Sequence, residues 1–231
     1  MSYGLLSSKE ISETLARLRN RINDRFPGSG LSKLAGELQD IVREAQTRSN
    51  WISKPNIGLR IVVGIFVILV LGTTVLGIAG LGLNFRTAYL SDFVQMLEAG
   101  ANDVILLGGA IYFLVTIEAR IKRKKTMKIL HQLRGFAHLI DMHQLLKDPA
   151  RLTELYKGTP TSPPKEKLDV FLLSRYLDYC SELLSIVSKV AALYAQHFED
   201  RIVLTAVDEI ENLTNGLSSK IWQKIMINNQ A

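Results

Sequence analysis

One uncharged run decides the fold class: residues 61–83 read IVVGIFVILVLGTTVLGIAGLGL. A bilayer core of about 30 Å is crossed by roughly 20 such residues in an α-helix, which rises about 1.5 Å per residue. The core helices of soluble proteins rarely extend this far without a charge on any face. The run therefore predicts a first membrane span.

A second span is predicted less directly, from the shorter run VILLGGAIYFLVTI of residues 104–117. Asp103 and Glu118 bound this run, whose length also suits a re-entrant or interfacial segment. Extending it to residues 100–121 gives a full crossing with both carboxylates near the lipid headgroups. The fold class that follows is an all-α membrane protein, a two-span transmembrane helical hairpin with a cytoplasmic helical bundle.

Basic residues predict the orientation of this hairpin. Lys54 and Arg60 precede the first span, and the second is followed by Arg120, Lys122, Arg123, Lys124 and Lys125. Because such residues concentrate on the cytoplasmic side, we expect a multi-pass protein of the cell inner (plasma) membrane with both termini cytoplasmic and residues 84–102 as an external loop. The same cations predict contact with anionic lipid headgroups. Nucleic acid is not expected as a partner, since topology already explains the positive charge.

Small residues mark one face of each predicted span. Thr73, Gly77 and Gly80 follow one another at spacings of four and three, and the second span carries Gly108 and Gly109. Small side chains let two helices approach closely in lipid. The facing helix is either the other span or another subunit, and the sequence leaves this open. Neither span has an ionisable residue at its middle, which argues against a pump or transporter.

The rest of the chain predicts cytoplasmic helices. The three predicted parts are N-terminal amphipathic helices (1–56), the transmembrane hairpin (57–121) and a helical bundle (122–231) with a proline-rich linker at 157–164. Residues 166–198 carry two adjacent apolar stripes, a face too broad for a two-stranded coiled coil. This helix should be covered on several sides, with the last helix folded back on it as an antiparallel neighbour.

A few polar residues are candidates for chemistry. His131, Arg134, His138 and Asp141 share one helical face, but two histidines separated by about 10 Å along a helix cannot share one zinc ion directly. A solvated face or a polar contact to a neighbouring helix is the favoured interpretation. Cys180 is the single cysteine and lies in an apolar stripe, which indicates an unreactive core thiol. No metal, cofactor or catalytic residue is predicted.

The sequence therefore favours a non-enzymatic scaffold or assembly module anchored in the inner membrane. Its broad apolar faces and small-residue span surfaces predict a homo-oligomer or a subunit of a membrane complex. The alternative is an oligomeric channel or mechanosensor in which several copies of the first span line a pore. A glycine-rich, uncharged span suits that alternative as well.

Overall fold

The computed structural model describes residues 6–53, 57–80, 90–145, 147, 168–196, 198 and 200–230. This part of the chain is helical and contains no strand, which confirms the all-α prediction. Its helices are α1 (Ser8–Arg25), α2 (Gly30–Ser53), α3 (Ile57–Gly80), α4 (Leu90–Leu145), α5 (Val170–Ala195) and α6 (Arg201–Gln230). The predicted linker at 157–164 lies outside the described residues.

The helices belong to two compact units. The first, called the bundle unit here, comprises Met1–Ser53 together with Lys125–Ala231. The second, called the apolar unit, comprises Lys54–Lys124 and holds α3 and the first part of α4. The sequence left open whether the N-terminal helices pack on the C-terminal ones, and in the structure they share a core.

Helix α5 is the central element of the bundle unit. It contacts α1, α2 and α6, and both of its predicted apolar stripes are buried. Leu177, Cys180, Leu184 and Val187, for example, have no exposed surface. Two adjacent stripes on one helix can be removed from water only when several helices cover it, which is the arrangement seen here.

Helices α1 and α2 form an antiparallel pair beside α5. Ser7 caps α1 by accepting a hydrogen bond from the Glu10 backbone N–H at 3.4 Å, and the two residues have the spacing of a capping box. The chain then reverses through Gly28, whose φ of 68° is a left-handed conformation that glycine adopts without strain. Helix α1 buries Ile11, Leu15, Leu18 and Ile22 in the shared core.

Helix α6 folds back on α5, as its apolar pattern predicts. Near its end, the Asn228 side-chain amide donates to the Val170 carbonyl oxygen at 2.8 Å, at the start of α5. The Lys224 ammonium donates to the Gln144 carbonyl oxygen at 3.0 Å, in the last turn of α4. A cation beside the C-terminal end of α4 interacts favourably with the negative end of the helix dipole. The last part of α6 therefore contacts both the beginning of α5 and the end of α4.

Part of the segment predicted as an external loop, residues 84–102, is helical in the structure. Helix α4 begins at Leu90, so residues 90–102 are helical and continue without a break into the second apolar run. Phe93, Val94 and Leu97 are exposed on this first part of α4. No proline interrupts residues 90–145, so nothing local forces the helix to end before the apolar run. Residues 84–89 lie outside the described part.

Candidate functional site

Two helices in the structure are long and apolar enough to cross a membrane. They are Ile57–Leu76 in α3 and Phe93–Leu145 in α4, and the most apolar window of each is not buried inside the protein. The side chains of Ile68, Val104 and Tyr112 are 71%, 71% and 75% exposed. A continuous apolar surface of this extent marks contact with a membrane or with another protein.

Within the apolar unit, one polar contact joins α3 to α4. The Thr74 hydroxyl donates to Oδ2 of Asp103 over 2.5 Å, with the Val70 carbonyl oxygen as a second acceptor at 2.9 Å. Half-buried residues recur at helical spacing on both helices; they are Val63, Val67, Val70 and Thr74 on α3, and Asp103, Leu107 and Ala110 on α4. This spacing indicates that each helix turns one face towards the other.

The other carboxylate that bounds the second apolar run is also paired. Glu118 forms an ion pair with Lys122 one turn later, at 2.9 Å, and the two side chains are 18% and 14% exposed. A buried or partly buried charge is costly unless it has a partner. The contacts of Asp103 and Glu118 therefore reduce the cost of placing either carboxylate at the edge of an apolar layer.

Replacing Thr74 with valine is expected to weaken the pairing of α3 with α4 by about 0.6–2 kcal/mol, the range for side-chain hydrogen bonds between membrane helices. Thr73→Val is the matched control, because the Thr73 hydroxyl bonds within α3, to the Val70 carbonyl oxygen at 2.8 Å, and to no other group in the described part of the chain. The two variants are compared with the unaltered chain by their free energies of unfolding in mixed detergent micelles. Equal losses for the two variants would show that the Thr74–Asp103 bond contributes nothing to the pairing.

The small residues predicted for span packing are not in tight contact within the described part of the chain. Thr73 is exposed, and a Cβ atom added at Gly108 or Gly109 would meet nothing within 4 Å. Gly77 and Gly80 lie in the last part of α3, where the structure describes the helix but not the packing of these two residues. The faces at Thr73, Gly108 and Gly109 are therefore uncovered in the described part of the chain.

The predicted basic run lies on one uninterrupted stretch of α4. Arg120, Lys124 and Lys125 are exposed, whereas Lys122 and Arg123 are half-buried. Lys122 is the partner of Glu118 described above. The run thus presents exposed cations directly after the apolar part of the helix.

The four residues of the predicted polar face have separate roles. The Arg134 guanidinium donates to Glu209 of α6 at 3.1 Å, and Asp141 accepts from the Gln144 side-chain amide at 2.5 Å. His131 and His138 are exposed. In the described part of the chain, no three His, Cys, Asp or Glu residues are grouped so that they could hold a metal ion. These residues therefore serve helix–helix contacts and the surface.

Cys180 is fully buried in the core. Burial raises the pKa of its thiol to about 12, although the charges of Lys224 and Lys147 act in the opposite direction. The thiolate, which is the reactive form, is therefore scarce at neutral pH. Cys180 has the environment of a core residue.

We expect Cys180 to resist a thiol reagent such as a maleimide in the folded protein and to react fully after denaturation. Raising the pH from 7 to 9 should accelerate the reaction of an exposed cysteine, because its pKa is about 8.5, but should leave Cys180 slow. Labelling followed by intact mass measurement is unambiguous, since the chain has one cysteine. Rapid labelling under native conditions would contradict the buried assignment.

Sequence reasoning missed a cluster of aromatic and basic side chains between α1 and α5. Phe26 meets the rings of Tyr176 and Tyr179 edge-on, with centroids 5.3 and 6.3 Å apart. Arg21 forms an ion pair with Glu182, and the Arg25 guanidinium donates to the Tyr179 hydroxyl at 3.3 Å. The sequence does show that Arg21 and Arg25 lie one helical turn apart on α1. It does not show their partners, because these lie on α5, far away in the chain.

This cluster has a structural role. Burial raises the pKa of Tyr176, and Cys180 adds to the shift, so the phenol stays protonated. Arg21 and Arg175 are engaged by Glu182 and Asp178. The cluster therefore fixes α1 against α5.

Known proteins provide no further guidance to the role of these features. Comparisons of the chain with protein-family models, with curated proteins and with solved structures find no match. The functional assignment therefore rests on the two apolar helices, the basic residues that follow them and the shared core of the bundle unit.

Proposed function

We propose that the protein is a non-enzymatic assembly module of the inner (plasma) membrane. In this proposal α3 and the apolar part of α4 cross the bilayer as a two-span hairpin, and both termini are cytoplasmic. The module assembles with further copies of itself or with another membrane protein. The observation that carries the proposal is the shared core formed by the chain segments on either side of the two apolar helices.

That shared core supports an even number of crossings. The Leu6 backbone N–H donates to the Gln196 side chain at 2.8 Å, and α1 and α2 both contact α5. Segments that fold together must lie on the same side of a bilayer. If α3 crosses, the chain must therefore cross back before α5, and α4 is the helix able to do so. The basic residues after the apolar part of α4 favour the cytoplasmic side for the bundle unit.

Exposed apolar side chains support the assembly part of the proposal. Several of them belong to the last turns of α4 and α6 and to the first turn of α5: Met142, Leu145, Phe171, Trp222 and Met226. Apolar side chains clustered on a surface commonly mark interaction sites. The open faces at Thr73, Gly108 and Gly109 add a second surface, within the apolar unit. The non-enzymatic part rests on Arg134 and Asp141, which are engaged by Glu209 of α6 and by Gln144 within α4.

The test is the mass of the detergent-extracted particle, measured by light scattering, with copurifying proteins identified by mass spectrometry. A discrete multiple of the chain mass, or a fixed complex with another protein, is expected. A strictly monomeric particle without a copurifying partner would contradict the assembly proposal. A discrete homo-oligomer that conducts ions in planar bilayers would replace it with the channel alternative.

A further inference from the structure

The basic residues at the end of the second apolar run form a patch of net positive charge. From residue 119 to residue 124, α4 carries four cations and no carboxylate. The carboxylate that precedes them, Glu118, is already paired with Lys122. Arg120 and Lys124 are exposed and one helical turn apart, so their Cβ atoms lie about 6 Å from each other, close enough for both side chains to reach one phosphate.

Helix α3 adds a third cation, Arg60, at about the same position along the helix pair as Arg120. The Thr74–Asp103 bond sets the register of α3 against α4 within the apolar unit. Arg60 precedes Thr74 by about four helical turns, and Ile117 follows Asp103 by the same length. In an antiparallel pair Arg60 therefore lies at the level of residues 117–120. It is exposed, as Arg120 and Lys124 are. These three residues are called the basic collar here.

Apolar surface lies directly beside the collar. Ile61 and Val62, which follow Arg60, are 56% and 60% exposed. Exposed cations next to exposed apolar side chains match the two parts of a phospholipid, whose phosphate meets the cations while its acyl chains cover the apolar residues. A nucleic acid offers phosphates but nothing to cover Ile61 and Val62. Arginine also binds phosphate oxygens in a bidentate manner.

We infer that the basic collar is a binding site for phospholipids whose headgroups carry a net negative charge. The inference rests on the proposed membrane function and names a chemical partner for it. Each basic residue near an anionic membrane surface contributes about 1 kcal/mol, which corresponds to about five-fold in affinity. Removing all three collar cations should therefore weaken anionic lipid binding by about 100-fold.

The experiment counts bound lipids by native mass spectrometry on the full chain in detergent. The probes are phosphatidylglycerol and phosphatidylcholine with identical acyl chains, so that only headgroup charge differs. The variants are Arg60→Gln/Arg120→Gln/Lys124→Gln and a control of equal charge change in the bundle unit, Lys9→Gln/Arg17→Gln/Lys33→Gln, whose three side chains are exposed. We expect a preference for phosphatidylglycerol that the collar variant loses and the control keeps.

Several outcomes would overturn the inference. They are equal binding of the two lipids by the unaltered protein, an equal loss in the control variant, displacement of phosphatidylglycerol by millimolar inorganic phosphate, and collar-dependent binding of an oligonucleotide in a gel-shift assay. If the triple variant fails to accumulate, Arg120→Gln and Lys124→Gln are tested singly, with about five-fold losses expected.

The two proposals can fail separately. Alkaline carbonate extraction of the same membranes reports whether the chain is integral, independently of lipid preference. A chain that resists extraction but shows no headgroup preference would overturn the collar alone. Release of the unaltered chain by carbonate would overturn the membrane function, and with it the collar.

Discussion

Replacing Leu177 with alanine is expected to lower the free energy of unfolding of the bundle unit by about 2–5 kcal/mol. Leu177 lies on the central helix α5 and has no exposed surface. Alanine removes its apolar contacts and leaves a cavity, which close-packed neighbours on several helices can fill only in part. A loss of this size is a large fraction of the total stability of most domains.

The matched control is Leu204→Ala on α6, where the same atoms are removed from a side chain that is 44% exposed. Surface substitutions of this kind usually change stability by no more than about 0.5 kcal/mol. Denaturant unfolding followed by circular dichroism measures both variants. Similar losses at the two positions would contradict the central place of α5 in the core.

Ile68→Lys is expected to prevent stable membrane integration of the protein. Ile68 lies near the middle of α3 and is 71% exposed, so in the proposed topology its side chain faces acyl chains. A lysine at the centre of a membrane helix costs about 2.5–3.5 kcal/mol on insertion scales, and the favourable contribution of isoleucine is lost as well. The chain should then be extracted by alkaline carbonate or degraded.

Ile227→Lys separates this effect from a general effect of charge. Ile227 is also exposed, at 57%, but it lies in the last turns of α6 in the bundle unit. That position lies outside the bilayer in the proposed topology, and a cation near the C-terminal end of a helix is favourable. Carbonate extraction and the yield of full-length protein should match those of the unaltered chain. Equal tolerance of both lysines would contradict a bilayer around α3.

Local patterns were sufficient to predict several elements of the fold. The uncharged run at 61–83 identified α3, because length and composition alone make such a helix apolar all round. The two stripes of α5 predicted burial on several sides, and the burial of Leu183 on one stripe and Leu184 on the other agrees. Each signal lies within one helix, where periodicity is directly readable.

The remaining features depend on contacts between residues far apart in the chain. Nothing local to Thr74 indicates that its hydroxyl meets Asp103, and nothing near Arg21 identifies Glu182 as its partner. Helical spacing grouped His131, Arg134, His138 and Asp141 on one face of α4. Its members nevertheless separate in the structure, because Arg134 reaches α6 while Asp141 bonds within α4.

The bundle unit is built from two segments that are far apart in the chain. Its complete core can therefore form only after the second segment has been made. Arg21 and Glu182 are separated by 161 positions in the chain. At about 5–20 residues per second, the ribosome needs on the order of 10 s to make α5 after α1 has been completed. A helix forms in about a microsecond, so α1 and α2 are present long before the helix that covers them. During that interval the apolar faces of the N-terminal helices have no α5 to pack against, and exposed apolar surface of this kind favours aggregation.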